Sequence, residues 1–497
     1  MRTFTEVWNA AVRDHPDNTF LVFRGDDGRV TEWNYRDFDA IVARVAGTLV
    51  ESGVEPGSTI HLALRNSPAF IALWLAAARI DATMVPVDPA SAARDIANQV
   101  SRVRPVVGVC ATTRSDVYRA GADESIPVVF DLAEDATDVS GGSPLLGDAV
   151  PSAAPTPDRT LAVMFTSGTT STPKGVVLTQ ACYANVAQRM AEASTLQAGH
   201  RWYVTLPLFH ANAQYYCFAP AIHVGASVAL TQSFSASKWV DVAAELNVTH
   251  ASLFAAPIRM ILARNDSHRA LGLTHVWFAQ SLGAEHYDDF ATLVGTRPRQ
   301  LYGMTETVAI VCCDSAEKPT HDVIGLPIPG REVRIDAEDG QPGQLSVRGT
   351  PGVDLFAGYL DDEATTNKSF RTEGDETWFA TGDLVRSEDG VLRFVGRVDD
   401  VIKVAGENVS LTEVEAAVAQ APGVLEAAVV AKDDPIRDKV PVAYVVPKDA
   451  AHAPELCDLD QWATKNLAPA ARPRAWHIIA ELPRTSVGKV RRFRIAE

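Results

Sequence analysis

Nowhere in the 497 residues is there an apolar run long enough to cross a bilayer. The strongest, residues 69–78, ends at Arg79 and Asp81, far short of the roughly 20 residues that a membrane helix needs. The first residues, Met1-Arg-Thr-Phe-Thr-Glu-Val-Trp, lack the basic start, apolar centre and small-residue cleavage site of an export signal, so a cytoplasmic setting is expected. Cysteine is scarce. The six residues Cys110, Cys182, Cys217, Cys312, Cys313 and Cys457 show no Cys-x-x-Cys spacing and no nearby paired histidines, which argues against a disulfide framework and against structural zinc. Cys312 and Cys313, adjacent on what reads as a strand, point to opposite faces and are expected to be small buried apolar residues. Basic residues are also outnumbered, 45 Lys and Arg against 62 Asp and Glu, for a formal charge of −17. That balance excludes broad binding to nucleic acid or to an anionic membrane, because phosphate affinity rests on dense Lys and Arg. A local basic grouping remains at Arg472, Arg474, Arg484, Lys489, Arg491, Arg492 and Arg494, although such a grouping alone is more often a solvated face.

What the chain has is length and apolar content. With 46% apolar residues it can bury a large core and should divide into several domains. Short apolar runs at 60–64 and 83–87 read as strands around a helix at 69–78, an alternation that predicts α/β layers. Residues 131–159, rich in Asp, Ser, Gly and Pro with Leu145-Leu146 as apolar anchor, read as a surface loop. Strand, loop, helix and strand follow through 161–231, with further α/β units at 251–254, 276–278 and 299–302. After about 325 the text changes to apolar/polar alternation at 332–336, 343–348 and 392–395, the pattern of an antiparallel β subdomain. Beyond 396–400, helices at 411–419 and 460–467 and strands at 427–430 and 440–446 fit a compact α+β unit. The fold class expected is therefore α/β: a large N-terminal domain of layered α/β sheets plus a β subdomain over 1–396, then a small α+β C-terminal domain over 401–497.

The most informative segment is Thr166-Ser167-Gly168-Thr169-Thr170-Ser171-Thr172-Pro173-Lys174-Gly175, set between two apolar runs. Glycine lets backbone amides approach phosphate oxygens, hydroxyls donate hydrogen bonds, and Lys174 supplies a point charge. It is not a Walker loop, because Lys174 precedes Gly175 rather than following a Gly-x4-Gly spacing.

This segment resembles the phosphate loop of adenylate-forming enzymes, the superfamily of acyl-CoA synthetases, peptide-synthetase adenylation domains and luciferases. Further matches follow in order. Tyr302-Gly303-Met304-Thr305-Glu306-Thr307 is similar to its adenylate-binding motif, Thr381-Gly382-Asp383-Leu384 to its ribose-binding motif, and Gly396-Arg397-Val398-Asp399-Asp400-Val401-Ile402-Lys403 to its hinge. Pro483-Arg484-Thr485-Ser486-Val487-Gly488-Lys489 is similar to its C-terminal catalytic loop, and Pro207-Leu208-Phe209-His210 to its acyl-pocket motif.

The resemblance implies an acid:CoA ligase of the acyl-CoA synthetase type, with a mobile C-terminal domain turning about a hinge at 397–400, centred on Asp399. Thr166, Ser167, Gly168, Thr169, Thr170 and Lys174 would hold the phosphates of ATP; Tyr302, Gly303, Met304, Thr305, Asp383 and Arg397 would hold AMP, with Gly283 and Ala284 near adenine. Glu306 would carry Mg²⁺. Lys489, with Thr305 and Glu306, would be catalytic, bridging the carboxylate and the α-phosphate as two anions join. His210, Gly303 and Met304 would border the acyl group, and Lys403 and Gly406 the path of coenzyme A. The aromatics Tyr215, Tyr216, Phe254, Trp277 and Phe278 hint at a bulky or aromatic acid, though core packing would use the same residues. Ser171 stands where the superfamily usually has glycine, Leu411 where proline is common, and Ala470-Ala-Arg-Pro where Tyr-Lys-x-Pro is common. Three readings stay open: full acid:CoA ligase; a specialised member that runs one half-reaction or serves a carrier protein or an amine; and a silent nucleotide-binding protein. The oligomeric state, a dimer included, is open too.

Overall fold

The computed structural model describes residues 1–166, 173–265, 271–338, 340–484, 490 and 492–495. Two large sheets organise the N-terminal part. A seven-stranded sheet runs in the spatial order Gly358–Tyr359, Lys174–Thr179, Thr160–Thr166, Thr83–Pro86, Thr59–Ala63, Val107–Ala111 and Val128–Leu132. A nine-stranded sheet runs Leu326–Pro327, Cys312–Cys313, Arg299–Tyr302, His275–Ala279, His250–Phe254, Arg201–Val204, Ser227–Thr231, Thr19–Arg24 and Val30–Asn34. The central pairings of both are parallel; the nine-stranded sheet is antiparallel at both edges, whereas the seven-stranded sheet is antiparallel only at its Gly358–Tyr359 end and parallel at its Val128–Leu132 edge.

The helix Pro68–Arg79 shows why the sequence folds this way. The Ser67 side chain accepts from Phe70 N, and Pro68 occupies the first helical turn, where its missing N–H costs nothing. Every residue from Pro68 to Ala78 is buried, and a helix apolar all round has to be packed on every side. Its Trp74 stacks on Phe4 at 5.2 Å and packs against Tyr183 and Phe218, within one core shared by both large sheets. Truncating Trp74 to Ala would cost about 3–5 kcal/mol. A second core, with Trp239, Phe278 and Phe290, covers the opposite face of the nine-stranded sheet.

The β subdomain forms as the alternation predicts. Glu332–Ile335, Gly343–Arg348, Glu376–Glu388 and Phe370–Glu373 make an antiparallel sheet, to which Val391–Arg397 adds. The last unit has its own sheet, Glu407–Ser410, Val401–Val404, Asp438–Pro447, Val424–Asp434 and Trp476–Ile478, with the helices Leu411–Val418 and Leu456–Asn466 and a separate apolar core.

Three boundaries differ from expectation. The strand expected at 427–430 extends over Val424–Asp434, because polar Lys432, Asp433 and Asp434 remain in register with Val440, Lys439 and Asp438. The last helix starts at Leu456 rather than 460. The stretch 131–159 is not all surface: Asp131 and Leu132 end a strand, Ala136–Val139 is a 3-10 turn, and Leu145 is fully buried. Among the described residues no helix is long and apolar enough to cross a membrane.

Candidate active site

The phosphate-loop candidate leaves the strand Thr160–Thr166 and returns on Lys174–Thr179, with Thr166 directly opposite Lys174. Ser167, Gly168, Thr169 and Thr170, like Ser171, lie outside the described residues. Lys174 is described, and its Nζ sits 4.9 Å from the ring centre of Tyr359, on the strand that pairs alongside. The Tyr359 hydroxyl donates to Glu306 Oε1 at 3.1 Å. Two chain segments expected to meet phosphate and cation therefore meet through one tyrosine.

Glu306 belongs to a 3-10 turn, Thr305–Thr307, that follows the strand Arg299–Tyr302. Between them Gly303 allows a close approach: a Cβ there would lie 2.9 Å from Tyr216 Oη and 3.1 Å from Ile310 Cα. Met304 N donates to Thr307 Oγ1 at 3.0 Å, which closes the turn. The next residue, Val308, has φ 63°, a region in which a β-branched side chain is strained. Surrounding bonds hold the turn in place. Phe356 N donates to Glu306 O at 2.9 Å, and buried Arg331 donates to Thr307 O and Asp354 O. Glu306 is itself only 6% exposed. A single buried carboxylate fits Mg²⁺, which keeps several waters and takes most remaining ligands from substrate phosphates. Among the described residues no group of three or more His, Cys, Asp or Glu forms a cage for a metal on its own.

Asp383 lies on the strand Glu376–Glu388, opposite Arg397 across the hairpin. It is 4% exposed; its Oδ2 accepts from Tyr302 Oη at 2.6 Å and its Oδ1 from Arg397 Nε at 3.1 Å. Burial and then the Asp383 charge push the Tyr302 phenol far above its ordinary pKa, so it remains a donor. Burial disfavours the Arg397 charge, yet Asp383 and Glu306 outweigh it and hold that guanidinium above its ordinary value. Tyr302, Asp383 and Arg397 are thus one charged, hydrogen-bonded unit beside Glu306, suited to vicinal hydroxyls and phosphate oxygens.

His210 accepts from Asn212 N at Nδ1, 3.2 Å, and its ring meets Phe254 edge-on at 5.8 Å. It precedes a π-helix, Asn212–Phe218, which the sequence did not reveal; such turns recur at functional sites. Tyr216, from that helix, packs 6.3 Å from Trp277. Phe278 does not join them. It points into the second core with Tyr287, because neighbouring strand residues face opposite sides. Gly283 caps the helix Ala284–Val294 and faces Gln420 of the C-terminal unit, and Glu285 pairs with Lys448 of that unit at 3.4 Å.

Asp399 lies in a 3-10 turn, Val398–Asp400, and Asp400 pairs with Arg492 at 3.0 Å. Lys403 is exposed on the strand Val401–Val404. The next turn has Ala405 at φ 51° and Gly406 at φ 91°, two left-handed residues that make a two-residue hairpin. Ala405 N donates to Arg437 O at 3.0 Å, so this turn is fixed within its own sheet. Lys489 lies outside the described residues, between Arg484, which pairs with Glu426, and Val490.

Contacts among the described residues therefore link Lys174 through Tyr359 to Glu306, on the turn that also carries Gly303, Met304 and Thr305, and link Tyr302 to Asp383 and Arg397. Sequence reading missed Tyr359 and Arg331. Gly358-Tyr359 carried a faint signal, an aromatic after a glycine; Arg331 carried none, since only burial shows what it braces.

A family described as AMP-binding enzyme matches residues 8–360, and another described as AMP-binding enzyme C-terminal domain matches residues 413–489. The crotonobetaine/carnitine–CoA ligase of Salmonella arizonae is 28% identical over 516 residues, covering 98% of this chain and 97% of the relative. Among solved structures, the anthranilate CoA ligase AuaEII in complex with anthranoyl-AMP aligns with TM-score 0.89 at 21% identity, over 100% of this chain and 96% of that one. A benzoate CoA ligase from Burkholderia xenovorans aligns with TM-score 0.87 at 22% identity over 100% of both chains.

Proposed function

The chain belongs to the AMP-binding enzyme family, and from that premise we propose that it is an ATP-dependent carboxylic acid:CoA ligase. It activates an acid as the acyl-adenylate, with release of pyrophosphate, and then passes the acyl group to the thiol of coenzyme A with release of AMP. The observation that carries this reading is the juxtaposition of Tyr302-Asp383-Arg397 with Glu306-Tyr359-Lys174. The first group offers a buried carboxylate and a guanidinium to a ribose; the second offers a cation and a metal-binding carboxylate to a triphosphate.

In this reading Asp383 accepts the ribose hydroxyls while Tyr302 and Arg397 hold its carboxylate still. The phosphate loop and Lys174 receive the β- and γ-phosphates. Glu306 would hold Mg²⁺, which would supply positive charge to offset that of the phosphates. Lys489, from the C-terminal unit, neutralises the paired anions as the carboxylate oxygen attacks the α-phosphorus. The unit at 401–497 then turns about 397–400, centred on Asp399, and presents Lys403 and Gly406 to the pantetheine arm, because one surface cannot serve both steps. We place the acid beside His210, Phe254, Tyr216 and Trp277, whose rings suit an aromatic acid or one bearing a cation. The same reading puts the enzyme in the cytoplasm, where ATP and coenzyme A are supplied.

The test is carboxylate-dependent exchange of labelled pyrophosphate into ATP over a panel including crotonobetaine, carnitine, benzoate, anthranilate and acetate. Exchange with at least one bulky or cationic acid is expected. Exchange with none of a broad panel would remove the proposal, and exchange without thioester formation would point to a carrier-protein or amine acceptor.

A further inference from the structure

Tyr359 touches both Lys174, at the end of the phosphate-loop candidate, and the carboxylate of Glu306. Its hydroxyl donates to Glu306 Oε1 at 3.1 Å, and its ring face lies 4.9 Å from Lys174 Nζ. Its backbone is pinned: Tyr359 N donates to Thr366 Oγ1 at 2.9 Å, and the ring packs against Phe356 at 4.7 Å. Phe356 N in turn holds Glu306 O, so backbone and side chain of Glu306 are fixed from the same strand segment.

Arg102 locks the arrangement from outside. Its guanidinium donates to Pro173 O at 2.7 Å and to Leu360 O at 3.2 Å, one carbonyl beside Lys174 and the other beside Tyr359, and lies 5.0 Å from the ring of Phe165. The two strands are thereby tied where the phosphate loop rejoins the sheet.

We propose that Tyr359 is a positioning residue of the nucleotide site: its hydroxyl aims the Glu306 carboxylate, its ring seats the Lys174 ammonium, and Arg102 secures both strands. Loss of that bond removes a restraint that sets the direction of the carboxylate against the pull of the Arg397 charge. A hydroxyl donor on Oε1 restrains how the carboxylate is turned, while the ring keeps Lys174 near without an ion pair to Glu306. The inference rests on the reading of the cleft as an ATP site, and it separates Tyr359's two contributions by chemistry.

The experiment is calorimetric titration with a non-hydrolysable ATP analogue, with and without Mg²⁺, on the parent chain and on Tyr359→Phe and Tyr359→Leu. Tyr359→Phe keeps the ring and loses the hydroxyl. It is expected to keep metal-free affinity within about twofold and to lose roughly tenfold with Mg²⁺, the equivalent of one hydrogen bond to a charged group. Tyr359→Leu also unseats Lys174 and is expected to lose about threefold or more without Mg²⁺. A Phe variant that matches the parent with Mg²⁺, or variants that lose affinity equally with and without it, would overturn the proposal. Should the Leu variant fail to fold by circular dichroism, the Mg²⁺ dependence of the Phe variant decides alone. A parent chain that bound no nucleotide would overturn both this inference and the ligase reading; a parent that bound it, with an indistinguishable Phe variant, would overturn this inference only.

Discussion

Replacing Asp383 with Asn changes one atom of a buried, fully engaged carboxylate. In the parent, Oδ2 accepts from Tyr302 Oη at 2.6 Å and Oδ1 from Arg397 Nε at 3.1 Å. An asparagine can keep only one of these as an acceptor, and it turns an amine toward the other donor. The Arg397 side chain is 40% exposed, so the lost ion pair is screened and worth no more than about 1 kcal/mol. The Tyr302 bond is buried and charge-assisted, so its loss costs about 1.5–3 kcal/mol. A ribose that uses the same carboxylate loses a charged acceptor of similar worth, so the KM for ATP should rise about ten- to a hundredfold. The KM for the acid should stay within about twofold, because the acid does not touch Asp383. Pyrophosphate exchange with ATP titrated at saturating acid, then acid at saturating ATP, separates the two, and urea denaturation monitors the folding cost. An unchanged KM for ATP, or a rise confined to the acid, would refute the assignment of Asp383 to the nucleotide.

Gly303→Ala should cost about 1–3 kcal/mol of stability and displace the adenylate turn, since its Cβ meets Tyr216 Oη at 2.9 Å; a thermal melt and the KM for ATP would both report it. Lys489→Ala should reduce adenylate formation by about a hundredfold or more while thioester formation from supplied acyl-adenylate stays within a few-fold, and equal losses in the two half-reactions would argue against its role. Acid should destabilise the fold through buried histidines. Burial lowers His61 and His250 from 6.5 to about 4, so they stay neutral in the folded chain while the unfolded chain takes up protons. Their contribution is complete above pH 6.5 and is lost as pH falls toward 4, about 3 kcal/mol per histidine. Urea midpoints at stepped pH should fall across that window, and His61→Gln and His250→Gln should each flatten the slope.

Much of this architecture could be read from residues alone because it is local. The helix at 69–78, the strands around it, and the antiparallel subdomain after 325 each follow from a periodicity of apolar positions, and the loop from Thr166 to Lys174 carries in its composition the resemblance to the family that the chain matches. Relations between distant segments were not legible. Asp383 and Tyr302 are 81 residues apart, and nothing in either neighbourhood says that one donates to the other. Arg331 looks like a surface charge until its burial against Thr307 and Asp354 is seen. Phe278 illustrates the opposite failure: a strand buried on both faces, apolar after His275, carries no alternation to say which side an aromatic takes. The π-helix after His210 was hidden for a related reason, since all its residues, polar Asn212 and Gln214 included, are buried and show no polar face to set its period.

The central claim is that this cleft joins a carboxylate to AMP and then yields the acyl group to coenzyme A. Its most direct test is single-turnover mass spectrometry of the chain mixed with ATP, Mg²⁺ and an accepted acid. The account predicts bound acyl-AMP in near-stoichiometric amount, converted to acyl-CoA and free AMP when coenzyme A is added. ATP consumed to ADP, or acyl-CoA formed with no acyl-AMP at any time, would contradict it.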